Sequence, residues 1–313
     1  MNIKKLLEQL VQLNASDLHL KPGIPPVVRH NGRLQRLQVP APTPKDLEEI
    51  AHQILTPAQR ERFEETKEID FAFGVTGLAR FRANCYVQRN TIAMVFRHVP
   101  VKIQSVEELR LPSVISDLSL RPRGMIIVTG TVGSGKSTTL AAMVKEINTN
   151  LNAAIITIED PIEFLHRDEK SIVNQREVGS DTATYGEALR HILRQDPDVI
   201  LIGEIRDRET MEVAMSAADT GHLVLTTLHT IDAQQTVNRV ISFFPPHQHQ
   251  EIRYMLSSTL QAVISQRLLP SLKTEGMVPA VEVLVTTGTI RDCIVNPEKT
   301  PLITQVMREG VTQ

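Results

Sequence analysis

The pattern of apolar positions changes near residue 124. Up to about residue 98, helical stripes are mixed with strands in which apolar and polar residues alternate, a combination typical of an α+β domain. From Gly124 onwards, short continuous apolar runs alternate with helical stripes, which indicates βαβ units around a largely parallel sheet covered on both faces. We therefore predict an α+β domain over residues 1–98, a linker over 99–123 and an α/β domain over 124–313.

The N-terminal part carries helical stripes and one strong turn signal. Asn31-Gly32 separates two short strand-like segments and favours a two-residue β-hairpin, because both positions accept a positive φ. Two helices are predicted near residues 44–55 and 57–66. An earlier helical stripe consists of Leu6, Leu7, Leu10 and Leu13.

The clearest strand of this part runs from Leu78 to Val87. Apolar side chains occupy every second position, and Arg80 and Arg82 lie on the opposite face. A further strand is predicted from Thr91 to Phe96, and Arg97 follows it.

Polar residues follow each apolar run of the second part. In open parallel sheets, ligands bind beyond the carboxyl ends of the strands, so these residues are the candidates for a functional site. The four runs are 125–128, 154–158, 199–202 and 223–225.

The loop after the first run, GTVGSGKS, has the Walker A pattern between a predicted strand and helix. Its glycines allow backbone N–H groups to converge on phosphate oxygens, and the helix N-terminus adds partial positive charge. Lys136 is expected to neutralise the β- and γ-phosphates, and Ser137 to ligate Mg²⁺. We therefore predict ATP and Mg²⁺ as cofactors, with nucleotide contacts from Gly130, Thr131, Val132, Gly133, Ser134, Gly135, Lys136, Ser137 and Thr138.

Carboxylates follow two of the other runs. Glu204 is the second residue after 199–202, and we predict that it holds a magnesium-bound water or orients the attacking water. Glu159, Asp160 and Glu163 follow 154–158 and are candidates for binding Mg²⁺ or water. The alternatives are a surface glutamate for Glu204 and an acidic helix N-terminus for the other three.

A histidine and three arginines complete the predicted site. His229 follows the last run and is placed to sense a γ-phosphate, whereas His222 lies at the opposite end of that run. Transition-state charge on the γ-phosphate usually requires an arginine as well. Arg80, Arg82 and Arg97 are predicted to reach a nucleotide on a neighbouring subunit. The alternatives are a structural role for His229 and a solvated strand face for the three arginines.

Composition disfavours several classes of protein. Lys and Arg total 34 against 36 Asp and Glu, so the chain lacks the basic surplus of a nucleic-acid-binding protein. Its two cysteines, Cys85 and Cys293, lack the spacing of a zinc site or a disulfide framework. No apolar run approaches the roughly 18 residues of a membrane span. We expect a protein without direct membrane insertion that is either cytoplasmic or peripheral to a membrane through a partner.

Taken together, the motifs resemble those of the type IV pilus retraction ATPases in the secretion ATPase superfamily. The resemblance covers nearly the whole chain, although TIRDCIVN at 289–296 departs from that family's AIRNLIRE segment at its end. The segments that carry it are SDLHL (16–20), GTVGSGKSTTLAAM (130–143), IEDPIEF (158–164), NQREVG (174–179), LRQDPDVILIGEIRD (193–207) and TGHLVLTTLHT (220–230).

The resemblance implies a PAS-like N-terminal domain and a RecA-like ATPase domain, assembled as a homohexameric ring at the cytoplasmic side of the inner membrane. The implied partner is the inner-membrane pilus platform protein, and partnership with a second retraction ATPase is left open. It assigns Glu159–Glu163 to the Asp box, Asp198–Glu204 to Walker B and Gly221–His229 to the His box, and it supports the arginines of the first domain as fingers.

Three other functions are alternatives. Extension and type II secretion ATPases of the same superfamily generally carry a longer N-terminal region and a repeated CxxC pair, and neither is present in this sequence. A RecA-like DNA translocase requires a basic inner surface, which the balanced charge disfavours. A nucleotide-binding regulator without turnover is disfavoured by Glu204 and the acidic cluster.

Overall fold

The computed structural model describes residues 1–100, 102–271 and 276–310. The chain divides into two compact units, Met1–Val101 and Lys102–Gln313. Each unit has its own hydrophobic core. Within the described parts of the chain, no helix is both long and apolar enough to cross a bilayer.

The first unit is an antiparallel sheet with three helices. Its described strands are ordered β3-β2-β1-β6-β5-β4. The helices are α1 (Ile3–Gln12), α2 (Pro44–Ile54) and α3 (Pro57–Thr66). The strands are β1 (Asp17–Leu20), β2 (Val27–His30), β3 (Arg33–Arg36), β4 (Glu68–Val75), β5 (Ala79–Gln88) and β6 (Thr91–Val99).

Local chemistry accounts for these elements. Thr43 and Thr56 begin α2 and α3 with capping boxes, and a proline follows each of them at the first turn. Asn31 and Gly32 both have positive φ and join β2 to β3, as predicted for a two-residue hairpin. Along β5 the apolar side chains alternate inwards, and Phe81 is fully buried.

The second unit is built on a largely parallel sheet. Its described strands are ordered β13-β12-β7-β11-β10-β8-β9, and each neighbouring pair is parallel except β12 and β13. The strands are β7 (Gly124–Thr129), β8 (Ala154–Glu159), β9 (Ile172–Glu177), β10 (Val199–Ile202), β11 (Leu223–Leu228), β12 (Leu260–Pro270) and β13 (Met277–Val285). The helices are α4 (Val114–Ser119), α5 (Lys136–Asn150), α6 (Tyr185–Ile192), α7 (Arg208–Asp219), α8 (Ala233–Ser242), α9 (His249–Thr259), α10 (Gly288–Val295) and α11 (Ile303–Glu309).

Both faces of this sheet are buried. Ile127, Ile200 and Val224 belong to the core on one face, whereas Ile126 and Leu201 belong to the core on the other. Strands buried on both faces need continuous aliphatic runs, which explains the sequence pattern. The predicted α/β fold with a largely parallel sheet is confirmed.

The segment predicted as a linker, 99–123, contributes instead to the second unit from residue 102 onwards. Val106, Leu111, Ile115 and Leu118 are buried in one of its two core clusters. The sequence did not reveal this because α4 has only six residues, too few to display helical periodicity.

Candidate active site

Parallel pairing brings the carboxyl ends of β7, β11, β10 and β8 to one edge of the sheet, where a cleft of about 570 Å³ opens. The loop after β7, the tips of β8 and β10, and the residue after β11 all line it. The predicted site residues that line this cleft are Val132, Gly133, Gly135, Lys136, Ser137, Thr138, Glu159, Glu163, Glu204 and His229.

The loop after β7 bends tightly because its three glycines adopt conformations that other residues avoid. Gly130 has φ 145° and Gly135 has φ 91°. A Cβ atom at Gly130 would lie 2.4 Å from both the Gln266 backbone oxygen and Ser134 Oγ, so a larger residue cannot fit. Helix α5 begins directly after the loop at Lys136, which aims its N-terminal N–H groups at the cleft. The loop can therefore bind an anion through its backbone.

The side chains of the loop differ in exposure. Val132 is 88% exposed, and Thr131, Gly133 and Ser137 are exposed as well. Ser134 is buried. The exposed positions therefore offer mainly backbone groups, together with the Ser137 hydroxyl, to a ligand.

Lys136 folds back over its own loop. Its Nζ donates hydrogen bonds to the carbonyl oxygens of Gly130 (2.9 Å) and Thr131 (3.0 Å). Burial lowers the pKa of the ammonium, and the nearby Glu204 carboxylate acts in the opposite direction. The positive charge is thus held in the cleft by neutral acceptors that a phosphate can replace.

Glu204 lies at the centre of a small polar network. Its side chain is 14% exposed, its Oε2 lies 3.0 Å from Nε2 of His229, and its Oε1 forms an ion pair with Arg206. Thr227 fixes the turn that leads into Glu204, since its Oγ1 donates a hydrogen bond to the Gly203 carbonyl oxygen at 2.7 Å. The structure therefore joins Glu204 to His229. Arg206 was not predicted to belong to the site, although it lies only two residues beyond Glu204.

Glu159 is held rigidly at the tip of β8. Its Oε1 accepts hydrogen bonds from Thr157 Oγ1 (2.6 Å) and from Gln175 Nε2 on β9 (3.1 Å). Burial raises the pKa of this carboxyl. Asp160 and Glu163 are exposed and line the same cleft. No helix begins in the fully described stretch 160–171, so the alternative of an acidic helix N-terminus does not apply.

Gln266 on β12 is a residue of the site that sequence reasoning missed. Its side chain is buried, its Nε2 donates to the Ser134 carbonyl at 2.7 Å, and its Oε1 accepts from Thr139 Oγ1 at 2.8 Å. It therefore braces the loop and the first turn of α5 from behind. Its position more than a hundred residues after the loop left no local signal in the sequence.

Tyr185, the first residue of α6, also lines the cleft without having been predicted to belong to it. Burial, aided by the carboxylates of Asp160 and Glu204, raises the pKa of its hydroxyl. The group is therefore a hydrogen-bond donor at every physiological pH.

A second cavity of about 340 Å³ lies beside the loop and shares Gly135, Thr138 and Leu268 with the cleft. Leu109 and Leu111, from the segment first predicted as a linker, add apolar walls. The two cavities thus both border the first turn of α5, and leucine side chains line part of the smaller one.

The predicted arginines belong to the first unit. Arg82 on β5 pairs in register with Arg97 on β6, and Arg80 lies two positions earlier on β5. Nε of Arg97 lies 2.8 Å from Oδ1 of the buried Asp17. Their contact with a nucleotide stays a prediction.

The family model described as "Type II/IV secretion system protein" matches residues 87–309, well over half of the chain. The chain belongs to this family. The match covers both the loop after β7 and the Glu204 network, and the family resemblance predicted from the motifs is confirmed.

Relatives match over nearly the whole of this chain. The type IV pilus retraction ATPase PilT of Pseudomonas aeruginosa is 47% identical over 94% of this chain and 85% of its own length. The type IV pilus ATPase PilU of the same organism is 42% identical over 94% of this chain and 77% of its own. The crystal structure of the pilus retraction motor PilT with bound ADP superimposes with a TM-score of 0.93 at 44% identity, covering 99% of this chain and 90% of that one.

Replacing Gln266 by leucine tests the brace behind the loop. Gln266→Leu keeps the size of the side chain but removes two hydrogen bonds, each worth about 1 kcal/mol. We expect affinity for ADP, measured with a fluorescent analogue, to fall about tenfold. Gln261→Leu, at the other end of β12 beside Gly124, is the matched control and is expected to bind normally. Equal affinities in the two variants would contradict the assigned role.

Proposed function

We propose that this protein is an ATP-hydrolysing motor that drives retraction of type IV pili. One observation carries the catalytic part of the proposal: Lys136 on the loop and the Glu204–His229 pair line a single cleft. The retraction part rests on the similarity to PilT over nearly the whole chain.

Nucleotide binding follows from the two cavities beside the loop. The phosphates fit the cleft, where backbone N–H groups at the start of α5 and the Lys136 ammonium converge. The base fits the smaller cavity, whose walls include Leu109, Leu111 and Leu268. Lys136 exchanges the carbonyl oxygens of Gly130 and Thr131 for phosphate oxygens when the nucleotide binds.

The donor set of the cleft fits Mg²⁺. Ser137 supplies a hydroxyl, and Glu159 and Glu204 supply carboxylates, all of them hard oxygen donors. Within the described residues, no group of three or more His, Cys, Asp or Glu side chains forms a metal cage. An ion that is bound mainly through water and phosphate needs no such cage. When bound, Mg²⁺ neutralises charge on the β- and γ-phosphates.

Hydrolysis requires water beside the γ-phosphate. Its oxygen forms a bond to the γ-phosphorus, the bond to the bridging oxygen breaks, and ADP leaves with the electron pair. We assign Glu204 to orient this water and to accept a proton from it. His229, hydrogen-bonded to Glu204, links the position of that carboxylate to the tip of β11. Lys136 stabilises the charge that develops on the transferred group.

The motor is proposed to act as a homohexameric ring at the cytoplasmic side of the inner membrane, passing its domain motion to the pilus platform protein. A head-to-tail ring places one subunit's residues at the next subunit's site. Arg80, Arg82 and Arg97 are the proposed fingers in this arrangement. A second retraction ATPase is a further proposed partner.

Packing explains the part of the 289–296 segment that follows the retraction pattern. Ile290 and Ile294 lie on α10 and are buried in the core, and Arg291 is exposed. Ile290 and Ile294 therefore serve stability. The proposal of retraction rests on similarity over the whole chain rather than on this segment.

Removing the Glu204 carboxylate tests turnover. We expect Glu204→Gln to lower phosphate release at least about 100-fold while ADP affinity stays within about twofold, because the proton acceptor is lost and the loop is intact. Lys136→Ala is expected to lose nucleotide binding itself. Glu212→Gln, an exposed glutamate on α7, is the control. Normal turnover by Glu204→Gln, or none by the unmodified chain, would refute the assignment.

Pilus retraction is tested in cells with the same variants. In a strain that lacks its own retraction ATPase, the unmodified chain is expected to restore twitching, and Glu204→Gln is not. Restored pilus extension without retraction would favour the extension ATPases instead.

A mixing experiment tests the arginines. Arg80→Ala, Arg82→Ala and Arg97→Ala are each expected to lower turnover more than nucleotide affinity, because a finger acts on the transition state. Inactive Arg82→Ala subunits mixed with inactive Lys136→Ala subunits should regain phosphate release, since the mixture contains intact loops facing intact arginines. Arg36→Ala on β3 is the control. Parallel losses of affinity and turnover, or no recovery on mixing, would exclude a finger role.

A further inference from the structure

Tyr185 carries a hydroxyl that the fold does not use. The ring packs against the core cluster that covers one face of the parallel sheet. The hydroxyl oxygen is buried, yet it makes no hydrogen bond to any other described residue. A buried polar group in this state costs stability, and a phenylalanine would fill the same space without that cost. The hydroxyl therefore calls for a role beyond packing.

The position of this oxygen is set by three elements. Thr184 caps α6 by accepting a hydrogen bond from the Glu187 N–H at 3.1 Å, which fixes where Tyr185 begins the helix. A Cβ atom at Gly203 would lie 3.1 Å from Tyr185 Oη and 3.4 Å from the Cα of Glu159. The glycine thus leaves room for the hydroxyl between the tips of β8 and β10. The oxygen lies against the backbone that immediately precedes Glu204.

The surroundings of the hydroxyl define what it can bind. Tyr185 and Glu204 line the cleft together, and both also line an adjoining cavity of about 540 Å³ with Asp160 and Arg206. An ionised Glu204 only accepts hydrogen bonds, whereas the phenol donates one. A water molecule between them would donate a hydrogen bond to the carboxylate and accept one from the phenol. Two such contacts fix its orientation, which a carboxylate alone cannot do.

We propose that Tyr185 is a positioning residue for hydrolysis, whose hydroxyl donates a hydrogen bond to the attacking water and holds it against Glu204. This inference rests on the proposed ATPase function. It assigns the hydroxyl to the water rather than to the nucleotide, so it separates effects on turnover from effects on affinity.

The test uses the full chain with Tyr185→Phe, which removes only the hydroxyl. We expect kcat for ATP to fall about five- to tenfold, the effect of losing one neutral hydrogen bond in the transition state. KM should stay within about twofold. The affinity for ATP, measured without turnover in a Glu204→Gln background, should also be unchanged. The melting temperature should not fall, because an unpaired buried group is removed. Tyr254→Phe, the same change at an exposed position on α9, should alter none of these quantities.

The possible results separate this inference from the function on which it rests. A kcat within twofold of the unmodified chain overturns the role of Tyr185 and leaves the ATPase intact. A loss of ATP affinity with unchanged kcat also overturns it and assigns the hydroxyl to the nucleotide. A kcat loss accompanied by a lower melting temperature would indicate a structural role and overturns it as well. Absence of phosphate release by the unmodified chain removes the proposed function and this inference together.

Discussion

The backbone hydrogen bonds between β11 and its two neighbours hold the candidate site together. Thr226 of β11 lies beside Ile127 of β7 and Ile202 of β10, so the carboxyl ends of the three strands lie within two residues of one another. The loop that begins at Gly130 and the turn that carries Glu204 are consequently brought to the same edge. Parallel pairing alone achieves this, because an antiparallel neighbour would carry its following residues to the opposite edge.

Charged groups at this edge of the sheet form hydrogen bonds and ion pairs that contacts to a nucleotide can replace. Lys136 binds carbonyl oxygens of its own loop, and Glu204 binds Arg206 and His229. Partial burial of Lys136 and Glu204 makes each of these electrostatic interactions stronger than it would be in water. Binding of a triphosphate therefore exchanges one set of contacts for another across the tips of several strands. Such an exchange is a physical route from the phosphates to movement of the strands' following loops.

The sequence revealed the parts whose chemistry is local. Continuous aliphatic runs marked β7, β8, β10 and β11, and the glycines and lysine of the loop marked the segment that lines the cleft. Asn31-Gly32 similarly determined a hairpin by its own backbone preferences. Each of these signals lies within about a dozen residues, where propensity and periodicity are informative.

Residues that act through distant contacts could not be predicted in this way. Gln266 braces the loop only because β12 lies beside β7, and that neighbour relation is a property of the sheet. Leu111 and Ile115 join a core from a segment too short and too rich in interruptions to display a period. Tyr185 looks like an ordinary helical apolar residue until its oxygen is located between two strand tips.

A structure of the protein with Mg²⁺ and a non-hydrolysable ATP analogue tests the convergence of strand tips most directly. The account predicts that Lys136 Nζ leaves the carbonyls of Gly130 and Thr131 for the β- and γ-phosphates. It also predicts that the γ-phosphate lies in the cleft facing Glu204. A nucleotide bound elsewhere, with Lys136 still on its own loop, would contradict it.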